Sequence, residues 1–221
     1  MRFLEDKPMK RYLLWSAAAI LIGSVSAVVI NNQLKTSKDM LNGLSGRRVA
    51  ATELQQWLNN RGESISEINK KVFYMQESIG SEGVSLTLPQ KFRTDFIVKF
   101  DLMSLTQSGI VKFIVVNSAN GENYSFEMRQ MPDEVYRLRV HNNGKLIAES
   151  SGGIWKPDVF YTLSFEKYAN RMALNWQDTT IWQQEFPEGT GKKALFNILL
   201  SGLPDHPAAV NIKNMRIYTA K

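Results

Sequence analysis

The chain has 221 residues, no cysteine and a formal net charge of +6. The missing cysteine excludes a disulfide framework and any thiolate metal site. The charge is dispersed: residues 1–69 hold nine basic and six acidic side chains, and residues 70–221 hold eighteen and fifteen. No dense basic stripe results, so nucleic acid is not an expected partner.

Met1–Arg11 contains Arg2, Lys7, Lys10 and Arg11, and Tyr12–Ile30 (YLLWSAAAILIGSVSAVVI) follows without a single charge. At about 1.5 Å per helical residue, this run approaches the roughly 30 Å hydrocarbon core of a bilayer. A helix satisfies its own backbone there, and the basic flank directs the N-terminus to the cytoplasm. The segment therefore reads as a single-pass signal anchor. Residues 1–11 are cytoplasmic, 12–30 span the inner membrane, and the remainder lies in the periplasm or outside the cell. The alternative is a cleavable signal peptide with apolar core Tyr12–Gly23 and Val25-Ser26-Ala27 before the cut. Val28, Val29 and Ile30 prolong the apolar run and favour the retained anchor. Ala19, Gly23 and Ala27 recur every four residues, so one helix face is smooth enough for self-association or a membrane partner.

Residues 31–71 read as a stalk. Asn31–Arg48 is polar, with Asn42-Gly43 and Ser45-Gly46 as breakers. Ala50–Asn60 places Leu54, Trp57 and Leu58 on one helical stripe, and Arg61-Gly62 ends it. Trp57 suits packing on the following domain or the membrane interface.

Residues 72–221 change to a period of two. Phe96, Val98, Phe100 and Leu102 share one face of a strand opposite Lys99 and Asp101. Val111, Phe113 and Val115 repeat the pattern, as do Tyr136, Leu138 and Val140 opposite Arg137 and Arg139. Asn142-Asn143-Gly144 supplies a tight hairpin turn. Further strands are predicted over 72–75, 84–88, 122–129, 145–149, 160–166, 172–176, 179–185, 194–200 and 210–219. In the last, the apolar phase shifts from Val210 and Ile212 to Met215 and Ile217, which predicts a bulge near Lys213-Asn214. About a dozen short strands with regular turns make an all-β sandwich or barrel.

Trp155-Lys156-Pro157-Asp158, the stretch FYTLSFEKYANRMALNWQDTTIW and the terminal AVNIKNMRIYT resemble the closing strands of concanavalin A-like lectin/glucanase jelly rolls. The polar hairpin is Trp176-Gln177-Asp178-Thr179, where that family often has Asn/Asp-Gly. The resemblance covers roughly Val72 to Lys221. It implies an antiparallel jelly-roll sandwich behind the transmembrane helix and short helical stalk, and an architecture that hosts lectins, hydrolases and scaffolds.

Catalytic members often carry Glu-x-Asp-x-x-Glu on one strand, because glycoside hydrolysis needs two carboxylates facing the scissile bond. No such run exists here. His141 and His206 have no companion at metal spacing, no Gly-rich phosphate loop follows a strand, and no Gly-x-Ser-x-Gly elbow is present. No cofactor and no metal site is expected. Aromatics remain, since sugar rings stack on Trp and Tyr. Trp182, Tyr168 and Tyr124 are the candidate ligand-binding residues, while Trp155 and Trp176 read as packing residues. The expectation is a membrane-anchored extracytoplasmic module that binds a glycan or cell-envelope component without catalysis. The alternatives are a scaffold subunit that binds another envelope protein and, third, a glycoside hydrolase or lyase with an unrecognised site.

Overall fold

The computed structural model describes residues 43–59, 65–78, 83–89, 92, 95–105, 109–117, 123–168, 170–185, 194–203 and 206–220. The expected membrane segment Tyr12–Ile30, with Ala19, Gly23 and Ala27, lies outside them. Among the described residues no helix is long and apolar enough to cross a membrane.

Two antiparallel sheets build the domain. The eight-stranded sheet contains β1 (Leu44–Arg48), β3 (Ile65–Asn69), β4 (Val72–Gln76), β6 (Phe96–Ser104), β11 (Tyr161–Tyr168), β12 (Arg171–Trp176), β13 (Thr179–Glu185) and β15 (Ala209–Ala220). Its order is β13-β12-β11-β6-β15-β4-β3, with β1 also on β15. The seven-stranded sheet contains β2 (Leu58–Asn59), β5 (Val84–Thr87), β7 (Ile110–Asn117), β8 (Asn123–Gln130), β9 (Val135–Asn142), β10 (Lys145–Ile154) and β14 (Ala194–Ser201). Its order is β10-β9-β8-β7-β14-β5-β2.

The period-two pattern works as read. On each central strand the apolar set turns inward, because neighbouring side chains point to opposite faces. Aromatic rings then bridge the sheets: Phe126 of β8 meets Phe165 of β11 at 5.3 Å, and Phe113 of β7 meets Phe100 of β6 at 5.8 Å. Trp155 is wholly buried, and Trp176 packs on Trp155, Tyr136 and Tyr161. Such pairs add about 0.5–1.5 kcal/mol beyond the area they bury.

Turn chemistry fixes the register. Asn143 and Gly144 take φ of +50° and +79° in the β9–β10 hairpin. The predicted bulge is present: the β15–β6 register slips between Lys213 and Arg216, and Asn214 has φ +54°. One extra residue there restores Met215 and Ile217 to the core.

The stalk expected over 31–71 is corrected from Leu44 onward. β1 pairs with β15, β3 pairs with β4, and β2 joins β5, so these residues belong to the sheets. Between them α1 (Ala51–Trp57) buries Leu54, and Glu53 accepts from the Ala50 N–H at 3.0 Å. Trp57 packs against the core with Arg47 over its ring. The helix is shorter than expected, because Leu58 turns extended and pairs as a strand. The strands escape sequence reading because LSGRR and ISEIN are short and polar; tertiary pairing rather than periodicity makes them β.

Candidate functional site

The outer face of the seven-stranded sheet collects the polar half of the alternation. Inward Tyr136, Leu138 and Val140 leave Arg137, Arg139 and His141 of β9 facing out. Ser125, Glu127 and Arg129 do the same on β8, Lys112 on β7 and Asn197 on β14. Register then sets them in transverse rows. Glu149 of β10 faces Arg139, which faces Glu127, which faces Lys112. One row along, His141 faces Ser125, Ser125 faces Ile114, and Ile114 faces Asn197. In the third row Ser151 faces Arg137 and Arg137 faces Arg129. At about 4.8 Å between strands, the first row is a line of charged groups directed away from the core, and Ile114 interrupts the second.

Two atoms in this array, His141 Nδ1 and Asn197 Oδ1, are buried and lack a hydrogen-bond partner among the described residues, while the buried Arg139 Nε has a 3.5 Å ion pair with Glu149. Buried polar atoms normally pair, and leaving one unpaired costs about 1–3 kcal/mol. Glu149 sits 2.5 Å from Arg137 and 3.5 Å from Arg139. Partial desolvation would raise its carboxyl, but hydrogen bonds and charge from the two arginines outweigh that and hold it below the usual carboxylate range.

The opposite, outward face of the eight-stranded sheet holds a second polar cluster, closed on itself. Asn175 donates to Glu166 at 2.7 Å and to Ser164 at 2.9 Å, Ser164 donates to Glu166, and Thr180 donates to Asn175 at 2.7 Å. Burial pushes the Glu166 carboxyl up, only partly offset by Arg171, by the Ser164 and Asn175 hydrogen bonds and by Lys99. Its Oε1 accepts from Ser164 and Asn175, and its Oε2 lies 3.8 Å from Arg171.

A cleft of about 830 Å³ opens where the sheets end, lined by Arg129, Gln130, Gln76, Leu203, His206 and Pro207. Another, of about 1000 Å³, runs along β3 and β4 past Ile65, Tyr74, Met103 and Phe160. Among the described residues no group of three His, Asp or Glu side chains is arranged to hold a metal ion.

The expected aromatic residues are not brought together. Tyr124 points inward at 2% exposure, and its hydroxyl accepts from Asn142 at 3.0 Å, so a stacking role for it is corrected. Trp182 is half-buried: it pairs with Leu174, packs against the core and meets Phe126 edge-on at 4.8 Å. A bulge at Ile181, opposite the Leu174–Asn175 step, resets the alternation there, which sequence phase alone misassigns. Tyr168 is exposed at the end of β11, on the other sheet from the polar array. Trp155 and Trp176 are core residues, as read. The alternation of Arg137 and Arg139 opposite the β9 apolar set was visible in sequence; their alignment with Glu127, Arg129 and Asn197 was not, because strand order is not a sequence property.

No family model matches the chain, and no curated protein matches its sequence. Solved structures do. A beta-1,3-1,4-glucanase (lichenase) from a mouse hindgut metagenome is similar at TM-score 0.55 and 12% identity, covering 80% of this chain and 100% of that one. A protein of unknown function with a galectin-like fold from Bacillus subtilis matches at 0.54 and 12%, covering 80% and 100%. A laminarinase from Flavobacterium sp. UMI-01 matches at 0.54 and 10%, covering 71% and 81%. At such identity the likeness establishes fold. The domain shares the two-sheet jelly-roll fold of these structures.

Proposed function

We propose that this chain is a glycan-binding module without catalysis, displayed on the far side of the inner membrane by Tyr12–Ile30. The observation that carries the reading is the outer face of the seven-stranded sheet. Charged and polar side chains of β7, β8, β9 and β10 line it in register, and His141 Nδ1 and Asn197 Oδ1 remain buried without hydrogen-bond partners among the described residues. Sugar hydroxyls are both donors and acceptors, and a row of alternating donors and acceptors complements them. Two of the structural neighbours are glucanases or laminarinases by name, which accords with a carbohydrate ligand.

The electrostatics favour binding over hydrolysis. A glycosidase needs one carboxyl kept protonated beside a second that is ionised. On the proposed face Arg139 stands between the two carboxylates, Glu149 and Glu127, and the Glu149 carboxyl is lowered rather than raised by its two arginines. The raised carboxyl, Glu166, lies on the other sheet, in a closed network.

The test is a glycan array probed with the full chain in detergent micelles, followed by titration of any hit. Arg139→Ala and Asn197→Ala should each weaken binding by about 10- to 100-fold, the worth of a buried hydrogen bond to a charged or well-ordered group. Retained affinity in both variants removes this face as the site. Reducing-end release from a bound glycan would replace the binding reading with the enzymatic one.

A further inference from the structure

The charge of the same face carries a further step, which rests on the glycan-binding reading above. Four cations, Lys112, Arg129, Arg137 and Arg139, share it with two carboxylates, Glu127 and Glu149. Arg129 and Arg137 are directly opposite across neighbouring strands. Like charges in that position destabilise a sheet unless something neutralises them. Glu149 lies within ion-pair distance of Arg137 and Arg139, on the β10 side of β9. On the β8 side, Arg129 has no ion-pair partner among the described residues, and it continues into the cleft beside Gln130 and His206.

We propose that the face takes an anionic polysaccharide, whose carboxylate or sulfate groups are held by the Arg129–Arg137 pair and by Arg139. Guanidinium presents a planar fork that matches the two oxygens of a carboxylate or sulfate. A bound acid group between Arg129 and Arg137 also removes their mutual repulsion. The ligand thus supplies what the fold omits.

The experiment uses the full chain in detergent micelles and isothermal titration with polygalacturonate, dextran sulfate, neutral dextran and laminarin at low and high salt. Polygalacturonate or dextran sulfate should bind, more weakly as salt rises, and the two neutral glucans should bind at least tenfold more weakly. Binding of polygalacturonate alone assigns the site to carboxylates, and of dextran sulfate alone to sulfates. Arg129→Gln and Arg137→Gln should each reduce acid-polymer affinity about tenfold while leaving the melting temperature near wild type. Arg137, 44% exposed, can be replaced without opening the core. Three results overturn the inference while sparing the glycan reading: neutral glucans bound as tightly as acidic ones, acid binding indifferent to both variants, or duplex DNA bound equally well. Failure of every polysaccharide to bind removes the glycan reading and this inference together.

Discussion

Single side chains decide the ends of this sandwich. Glu77, 5% exposed, accepts through Oε1 from the backbone N–H groups of Gly202 and Ala208, the latter at 3.2 Å. It thereby ties the end of β4 to the turn before β15. Glu77→Ala leaves two donors unsatisfied, and denaturant melts should show a loss of about 2–3 kcal/mol. Gly202 must be glycine, since a Cβ there would meet Glu77 Oε1, the His206 carbonyl and Ala208 N within van der Waals distance. Gly202→Ala should destabilise as Glu77→Ala does, by the same assay. Glu166 makes a different prediction. Desolvation raises its folded-state value, so its contribution to stability is full below the ordinary carboxylate range and is lost as pH rises through the raised value. The wild-type melting temperature should therefore fall as pH rises from the ordinary carboxylate range through the raised value, more steeply than that of Glu166→Gln. Parallel curves would show that Glu166 titrates normally.

At the scale of elements, turns and edges govern. The β12–β13 hairpin closes through Gln177 and Asp178, both left-handed at φ +49° and +60°. The corresponding β9–β10 turn uses Asn143-Gly144, the residue types that occupy that region cheaply. Replacing Gln177 by Asn and Asp178 by Gly should stabilise the protein by about 1 kcal/mol. The exposed Lys99–Asp178 ion pair at 2.9 Å is lost, but contacts of that kind contribute only about 0–1 kcal/mol. A lower melting temperature would mean the ion pair outweighs the backbone strain. Strand β10 is the exposed edge of the seven-stranded sheet and carries Leu146, Ile147 and Ile154 outward. Its register slips between Leu146 and Ala148 and again between Gly152 and Ile154. Such bulges twist an edge away from foreign strands, so the apolar residues there do not offer a flat template.

For the whole molecule, the domain begins at Leu44 rather than Val72. Val49 and Leu54 are buried in the common core, and β1 zips against β15. Removing residues 1–71 should therefore cost several kcal/mol, at about 1.5–3 kcal/mol per buried aliphatic side chain, and yield a poorly folded protein by circular dichroism. Removing residues 1–42 should leave the β spectrum intact. Sequence alone determined the strands from Val72 onward, the Asn143-Gly144 turn and the bulge at Asn214, because side-chain alternation and left-handed turn residues are local consequences of backbone geometry. It also carried the resemblance to lectin/glucanase jelly rolls through the motifs around Trp155, Trp176 and Val210. It misjudged the phase of Trp182, because the extra residue Ile181 bulges β13 itself and nothing in the residue types there signals it. Only the tertiary structure recruited LSGRR and ISEIN into the sheets, and only strand order set Arg139 against Glu127 and Arg137 against Arg129. Those alignments join residues twelve and eight positions apart around a hairpin, and Asn197 comes from a strand more than fifty residues later. A surface assembled across strands exists only once the register is fixed, and register follows from which faces the whole core must bury.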